Sequence, residues 1–170
     1  GDYDAVIIGH SQFERIPLSK ERQNMMLEEE MTKIVAAIEE EQVNSGSRSF
    51  SVKQLERCKA QVQAKIDRLS DIKQDDVVTF ESLGVDRLFV DEAHYYKNLY
   101  LFTKMNNVSG VSQTDAKKST DLFLKTQYLD SIGGHVIFAT GTPVSNTMAE
   151  LFTMQRYLQY DHLKALGLDF

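Results

Sequence analysis

Three short apolar runs, each closed at once by glycine or polar residues, set the tightest limit on what this chain can fold into. Ala5-Val6-Ile7-Ile8 stops at Gly9, Arg87-Leu88-Phe89-Val90 at Asp91-Glu92, and His135-Val136-Ile137-Phe138-Ala139 at Thr140-Gly141-Thr142. Runs of this kind suit strands of a parallel sheet covered on both faces, which read as near-continuous apolar stretches. Open α/β sheets build their ligand sites beyond the carboxyl ends of such strands. Chemistry is therefore expected at His10-Ser11-Gln12, at Asp91-Glu92 and at Thr140-Gly141-Thr142.

Between the first two runs the period changes. Leu27, Met31, Ile34 and Ile38 fall at helical spacing within Ser19 to Asn44, and Leu55, Cys58, Val62, Ile66, Leu69 and Ile72 do so within Ser51 to Ile72. Asn44-Ser45-Gly46-Ser47 separates them. The spacing predicts an antiparallel helical hairpin with arms on the order of 35 Å long. Ser51 with Gln54 reads as a capping box, and Phe50 with Leu55 as its staple. The acidic triplets Glu28-Glu29-Glu30 and Glu39-Glu40-Glu41 are read as solvated faces rather than a dedicated partner surface. Tyr95 to Lys118 shows neither period and reads as a long polar loop. A helix carrying Leu122, Leu124, Tyr128, Leu129 and Ile132 is expected to stop at Gly133-Gly134. A last helix is expected from Thr147 to Gln159, with Leu151, Met154 and Leu158 inward.

At 170 residues and 42% hydrophobic content, one domain carrying an insertion can form a core. The net charge of −6 excludes a histone-like binder resting on a large positive field, but leaves open an enzyme with basic residues confined to one groove. A single cysteine, Cys58, excludes an internal disulfide framework and a cysteine-based zinc cluster, so a reducing cytoplasm is the expected setting. No run approaches the roughly 18 apolar residues that span a bilayer. The chain opens at Gly1 almost directly into a strand-like run, as expected of a segment of something larger or of a processed terminus.

Leu88-Phe89-Val90-Asp91-Glu92 puts two adjacent acids at a strand tip. Phosphoanhydride hydrolysis needs one carboxylate for magnesium and a neighbour that orients and deprotonates the attacking water. Asp91 is assigned to the metal, through water, and Glu92 to the general base. Acids are also common at loop entries, and the pair alone decides nothing. Ile137-Phe138-Ala139 likewise runs into a tight turn, where Gly141 is expected to take an unusual torsion and Pro143 to fix the exit. Its hydroxyls, Thr140 and Thr142, can sense neighbouring acids. Taken alone, they equally suit capping of the following helix.

Together, in this order, the two segments resemble motifs II and III of superfamily-two DEAH-type helicases and translocases, most closely the Swi/Snf-type group. Asp91-Glu92-Ala93-His94 with Lys97-Asn98 is similar to motif II. Thr140-Gly141-Thr142-Pro143 with Asn146 is similar to motif III, and Met148-Ala149-Glu150-Leu151-Phe152 through Tyr157-Leu158 to the helix after it. Tyr3-Asp4-Ala5-Val6-Ile7-Ile8 with Ser11-Gln12-Phe13 looks like motif Ib. The resemblance implies a partial RecA-like (P-loop NTPase) α/β sheet flanked by helices over 1–18 and 77–170, with the hairpin, 19–76, as an insertion. It implies a DNA-dependent ATP hydrolase cycling on ATP and Mg2+. His94 would couple the nucleotide site to Thr140, Gly141 and Thr142, and Ser11 and Gln12 would approach the nucleic-acid backbone. The hairpin resembles an insertion in large bacterial, phage and mobile-element proteins that join such a helicase to a DNA methyltransferase.

No Gly-x-x-x-x-Gly-Lys-Ser/Thr loop is present. The resemblance therefore implies that the phosphate-binding loop and second RecA-like lobe belong to other parts of the same motor. It also implies that the edge of the motif III strand is uncovered, and that this polypeptide alone does not hydrolyse ATP. Lys104, Lys117 and Lys118 are the candidate contacts to the phosphates of duplex DNA, though loop lysines are also ordinary solubility. Tyr95, Tyr96, Tyr100 and Phe102 are candidates for base stacking but fit packing beneath the loop better. His10, His135 and His162 read as structural or exposed. The rival reading is a non-catalytic interaction module that works through the hairpin on a degenerate ATPase core.

Overall fold

The computed structural model describes residues 3–45, 50–71, 78–99, 116–145 and 147–168. Its elements are α1 (His10–Phe13), α2 (Lys20–Ser45), α3 (Phe50–Asp71), β1 (Arg87–Val90), α4 (Lys117–Ser131), β2 (His135–Phe138), α5 (Ala149–Leu158) and α6 (Tyr160–Ala165), with 3-10 turns at Glu81–Leu83 and Ala93–Tyr96. Contacts group the chain into two units. One is Leu18–Val77, and the other combines Gly1–Pro17 with Val78–Phe170.

The first unit is the helix pair. Ser19 Oγ accepts the Arg22 amide at 3.3 Å, capping the first turn of α2. Ile34, Ala37 and Ile38 of α2 and Val52, Leu55, Val62 and Leu69 of α3 form its buried seam. Lys20 at the start of α2 donates to the Ser70 carbonyl near the end of α3, so the arms run antiparallel. Helix α3 begins at Phe50, which places Ser51 inside the first turn rather than at the cap. Ile72 lies outside the described residues.

The second unit holds a parallel pair, β1 with β2, in the register Arg87↔His135 to Val90↔Phe138. The described residues are mostly helical, with this small two-stranded sheet. Val90, Ala93, Tyr96, Leu99, Leu122 and Tyr157 form its core, with Phe13, Leu88, Phe123 and Phe138 packed against it. Strand alternation points Leu88 and Val90 inward. Phe89, on the opposite face, is 68% exposed, as is Ile137 beside it at 45%. The expectation of strands covered on both faces thus holds for one face among the described residues.

Two sequence expectations need correction. Ala5-Val6-Ile7-Ile8 forms no strand, because the ladder bonds among the described residues join only β1 and β2. Val6 and Ile7 stand in solvent instead. Helix α5 does not turn Leu151 and Leu158 inward. Both are exposed, and Glu150, Thr153, Met154, Arg156 and Tyr157 are buried. Tyr157 sets that rotation: its hydroxyl lies 2.9 Å from the Tyr96 carbonyl and 3.0 Å from that of Ser119, tying α5 to α4 and to the turn after β1. Burial pushes the Tyr157 phenol well above its usual range, keeping it a neutral donor.

Helix α4 ends as its two glycines require. Gly133 takes φ 73°, and the Gly134 amide donates to the Leu129 carbonyl at 2.8 Å. The next amide, His135, donates to the Asp86 carbonyl and opens the ladder. A Cβ on Gly134 would lie 2.8 Å from the Asp86 oxygen and 3.1 Å from that of Leu129, both backbone atoms. Gly134→Ala is therefore expected to destabilise the chain by about 1–3 kcal/mol, read as a lower urea midpoint at unchanged m. Among the described residues no helix is long and apolar enough to cross a membrane.

Candidate functional site at the strand tips

The ladder continues past its last paired residues. The Ala139 amide donates to the Val90 carbonyl at 2.9 Å, and the Ala93 amide returns to the Ala139 carbonyl at 3.0 Å. This second bond draws the chain back onto β2 immediately after Asp91 and Glu92. Both acids are left in a tight exposed turn at the carboxyl end of the sheet. Glu92 has φ 50° and ψ 42°, and is the one non-glycine residue with positive φ among those described. A left-handed backbone costs about 1–2 kcal/mol for such a residue. It is held there by the Ala93 bond and by the Asp91 carboxylate, whose Oδ1 accepts the Glu92 amide at 2.9 Å. Strain held in this way clusters at sites of function.

The 3-10 turn that follows aims His94 across to β2. His94 Nδ1 lies 3.0 Å from Glu92 Oε2 and 3.1 Å from Thr140 Oγ1. His94 Nδ1 is thus hydrogen-bonded to the Thr140 hydroxyl and lies within ion-pair distance of the Glu92 carboxylate. Thr140 Oγ1 in turn accepts the Thr142 amide at 3.2 Å. That bond shapes the bend, and Gly141 takes no left-handed torsion. The unusual torsion expected at Gly141 sits at Glu92 instead. Of the two threonines, only Thr140 reaches the histidine. Thr142 contributes its amide, and its side chain is exposed.

A second link joins the same two segments farther out. Lys97 Nζ is 3.0 Å from Glu150 Oε2 and 3.0 Å from Ser145 Oγ. The Ser145 amide donates to Glu150 Oε2 at 2.6 Å. The Lys97 and Glu150 side chains are only 10% and 9% exposed. Sequence reasoning gave these residues no role. The spacing Thr147-x-x-Glu150 reads as a capping box, yet Glu150 serves the Ser145 amide and Lys97 instead.

Among the described residues, His10 and Lys118 lie beside the 3-10 turn. Ser11 and Gln12 are exposed on α1, where Ser11 Oγ donates to Gln12 Oε1 at 3.2 Å. The neighbouring His10 Nδ1 shares a proton with the Tyr96 hydroxyl at 2.7 Å. Burial, reinforced by the negative charges of Glu14 and Asp121, pushes the Tyr96 phenol up to about 12, so it stays neutral. Tyr96 is buried and unable to stack on a base, whereas Tyr95 is 53% exposed. Lys117 is exposed at the first turn of α4. Lys118 Nζ lies 5.6 Å from the Tyr95 ring centroid and 5.8 Å from that of Tyr96. Tyr100, Phe102, Lys104 and Asn146 lie outside the described residues. His135 and His162 are exposed.

Comparison with known proteins agrees with a helicase-related chain. A family model described as a probable helicase domain matches residues 1–169, and the chain belongs to that family. It is also similar to the Defense against restriction protein B of Escherichia phage P1, with 27% identity over 172 residues. That alignment covers 98% of this chain and 8% of the phage protein, so the chain spans a small part of that relative's length. No solved structure matches.

Proposed function

We propose that this member of the probable helicase domain family is the hydrolysis-and-coupling part of lobe one of a Swi/Snf-like, DEAH-type motor that spends ATP to translocate on duplex DNA. The observation that carries this reading is the His94 bridge, in which one ring nitrogen lies 3.0 Å from a strand-tip carboxylate and 3.1 Å from a hydroxyl on the neighbouring strand's bend. A nucleotide site of this kind has to link bond cleavage to movement, and the bridge joins the cleaving group to the segment that would move.

The donor set suits magnesium rather than a transition metal. Among the described residues no group of three or more His, Cys, Asp or Glu side chains could hold an ion. Magnesium keeps several waters and takes one or two carboxylates together with substrate phosphates. Asp91 fits that role, with Oδ1 engaged by the Glu92 amide and the other oxygen left for a hydrated cation. When bound, the ion would offset the charge on the β- and γ-phosphates. Glu92 orients the attacking water and takes its proton, and His94 sets the direction of the Glu92 carboxylate. When nucleotide changes the position of that carboxylate, the His94 ring follows it and its hydrogen bond to Thr140 tightens or loosens.

In this reading the sheet is part of a RecA-like lobe. The phosphate-binding loop, the second lobe and a methyltransferase domain come from other parts of the same protein. Ser11, Gln12, Lys104, Lys117 and Lys118 meet the DNA backbone. The intact protein is expected to hydrolyse Mg-ATP faster with duplex DNA, with the stimulation weakening as salt rises. Hydrolysis indifferent to DNA would assign an ATPase that does not act on nucleic acid. No binding of Mg-ATP would leave the hairpin interaction module.

A further inference from the structure

We propose that Lys97, Ser145 and Glu150 form a positioning clamp that fixes the exit of the 140–143 bend to the acidic strand tip, and that this clamp transmits stimulation by DNA rather than supporting hydrolysis itself. The proposal rests on the ATP-driven reading above. One 3-10 turn, Ala93–Tyr96 with Lys97 closing it, touches the bend twice. His94 holds its entry at Thr140, and Lys97 holds its exit at Ser145 and at Glu150 in the first turn of α5.

The clamp is expensive to build, which argues for a use. Lys97 and Glu150 are nearly dehydrated, and a buried ion pair returns little net stability once its desolvation is counted. Glu150 also takes the Ser145 amide at 2.6 Å and lies within 3.3 Å of its hydroxyl, so one carboxylate sets both the backbone and the side chain at the bend's exit. The Glu150 amide bonds the Thr147 carbonyl at 3.1 Å, and Thr147 Oγ1, which would accept that amide in a capping box, is buried without a hydrogen-bond partner among the described residues. No capping box forms here, and the Glu150 carboxylate bonds Lys97 and the Ser145 amide. None of the three residues is among the strand-tip groups, so their loss leaves Asp91, Glu92 and His94 in place.

The test compares the intact protein with its Lys97→Met and Ser145→Ala variants, measuring Mg-ATP binding, basal hydrolysis and hydrolysis with a blunt DNA duplex. Lys97→Met is expected to lower the DNA-stimulated rate about tenfold while the basal rate stays within about twofold. Ser145→Ala removes one leg of the clamp and is expected to lower the stimulated rate about threefold. Absent hydrolysis or absent stimulation in the unaltered protein overturns the ATP-driven reading and the clamp with it. Full stimulation in Lys97→Met, or equal loss of basal and stimulated rates with binding intact, overturns the clamp alone. If Lys97→Met no longer binds Mg-ATP, Ser145→Ala decides, and an unchanged stimulated rate there overturns the proposal.

Discussion

Glu92→Gln in the intact protein is expected to lower ATP hydrolysis by about 10²- to 10⁴-fold, the usual worth of a positioned general base, with Mg-ATP affinity unchanged. The amide matches the carboxylate in size and still offers an oxygen to His94 Nδ1, so the bridge to Thr140 survives. It lacks the basicity to take a proton from water. The side chain is 53% exposed, so stability should move by no more than about 0.5 kcal/mol. Single-turnover hydrolysis beside equilibrium nucleotide binding separates the two effects. Turnover near the unaltered rate would remove Glu92 from the chemistry, and loss of binding would make it a ligand instead.

Much of the fold was legible in local pattern; apart from the Ala5–Ile8 run, which is apolar yet exposed and unpaired among the described residues, the failures on the helices have a common cause. The hairpin arms were readable because the seam of a helix pair repeats over many turns, so the expected limits of 19–44 and 51–72 lie within one residue of Lys20–Ser45 and Phe50–Asp71. Both strands of the sheet were readable from apolar runs ending in acids or hydroxyls. What periodicity missed are positions where a polar residue occupies a buried slot. Apolar spacing on α5 favoured Leu151 and Leu158, but paired charges at Lys97–Glu150 and a hydroxyl on Tyr157 decided its rotation. On α4 the buried stripe runs Leu122, Lys125, Thr126, Leu129, and its second member is a lysine. The strand tip behaved likewise. Glycine at 141 pointed to the strained torsion, but hydrogen bonds to Asp91 and Ala139 place that torsion at Glu92.

Lys125 is where that lesson carries the largest stability effect. Its side chain is fully buried, donating to Asp121 Oδ2 at 2.6 Å and to the Phe13 carbonyl at 3.0 Å, with Nζ 4.2 Å from the Phe13 ring centroid. It therefore ties α4 to the end of α1, the turn that carries Ser11 and Gln12. Lys125→Met fills similar space but strands the Asp121 carboxylate, while the Phe13 carbonyl keeps the Ile16 amide at 3.2 Å. The expected cost is about 3 kcal/mol, at the lower end for a broken buried pair because Asp121 is still 23% exposed. The sign of its pH dependence follows from Asp121. Burial raises the Asp121 carboxyl above its ordinary 3.8, and Lys125 opposes that rise. Between 3.8 and the raised value the folded state binds more protons than the unfolded one, so this group adds stability as pH falls through that window. Removing Lys125 raises the carboxyl further and widens the window, so the cost of Lys125→Met should be largest at neutral pH and shrink on acidification. Adding Asp121→Leu should bring the double variant to within about 1 kcal/mol of the unaltered chain, because it removes the stranded carboxylate and the Phe13 carbonyl keeps its bond from the Ile16 amide. Urea midpoints of the three proteins at neutral and mildly acidic pH measure both effects. A single-variant cost independent of pH would mean that Lys125 acts through packing on Phe13 rather than through its charge.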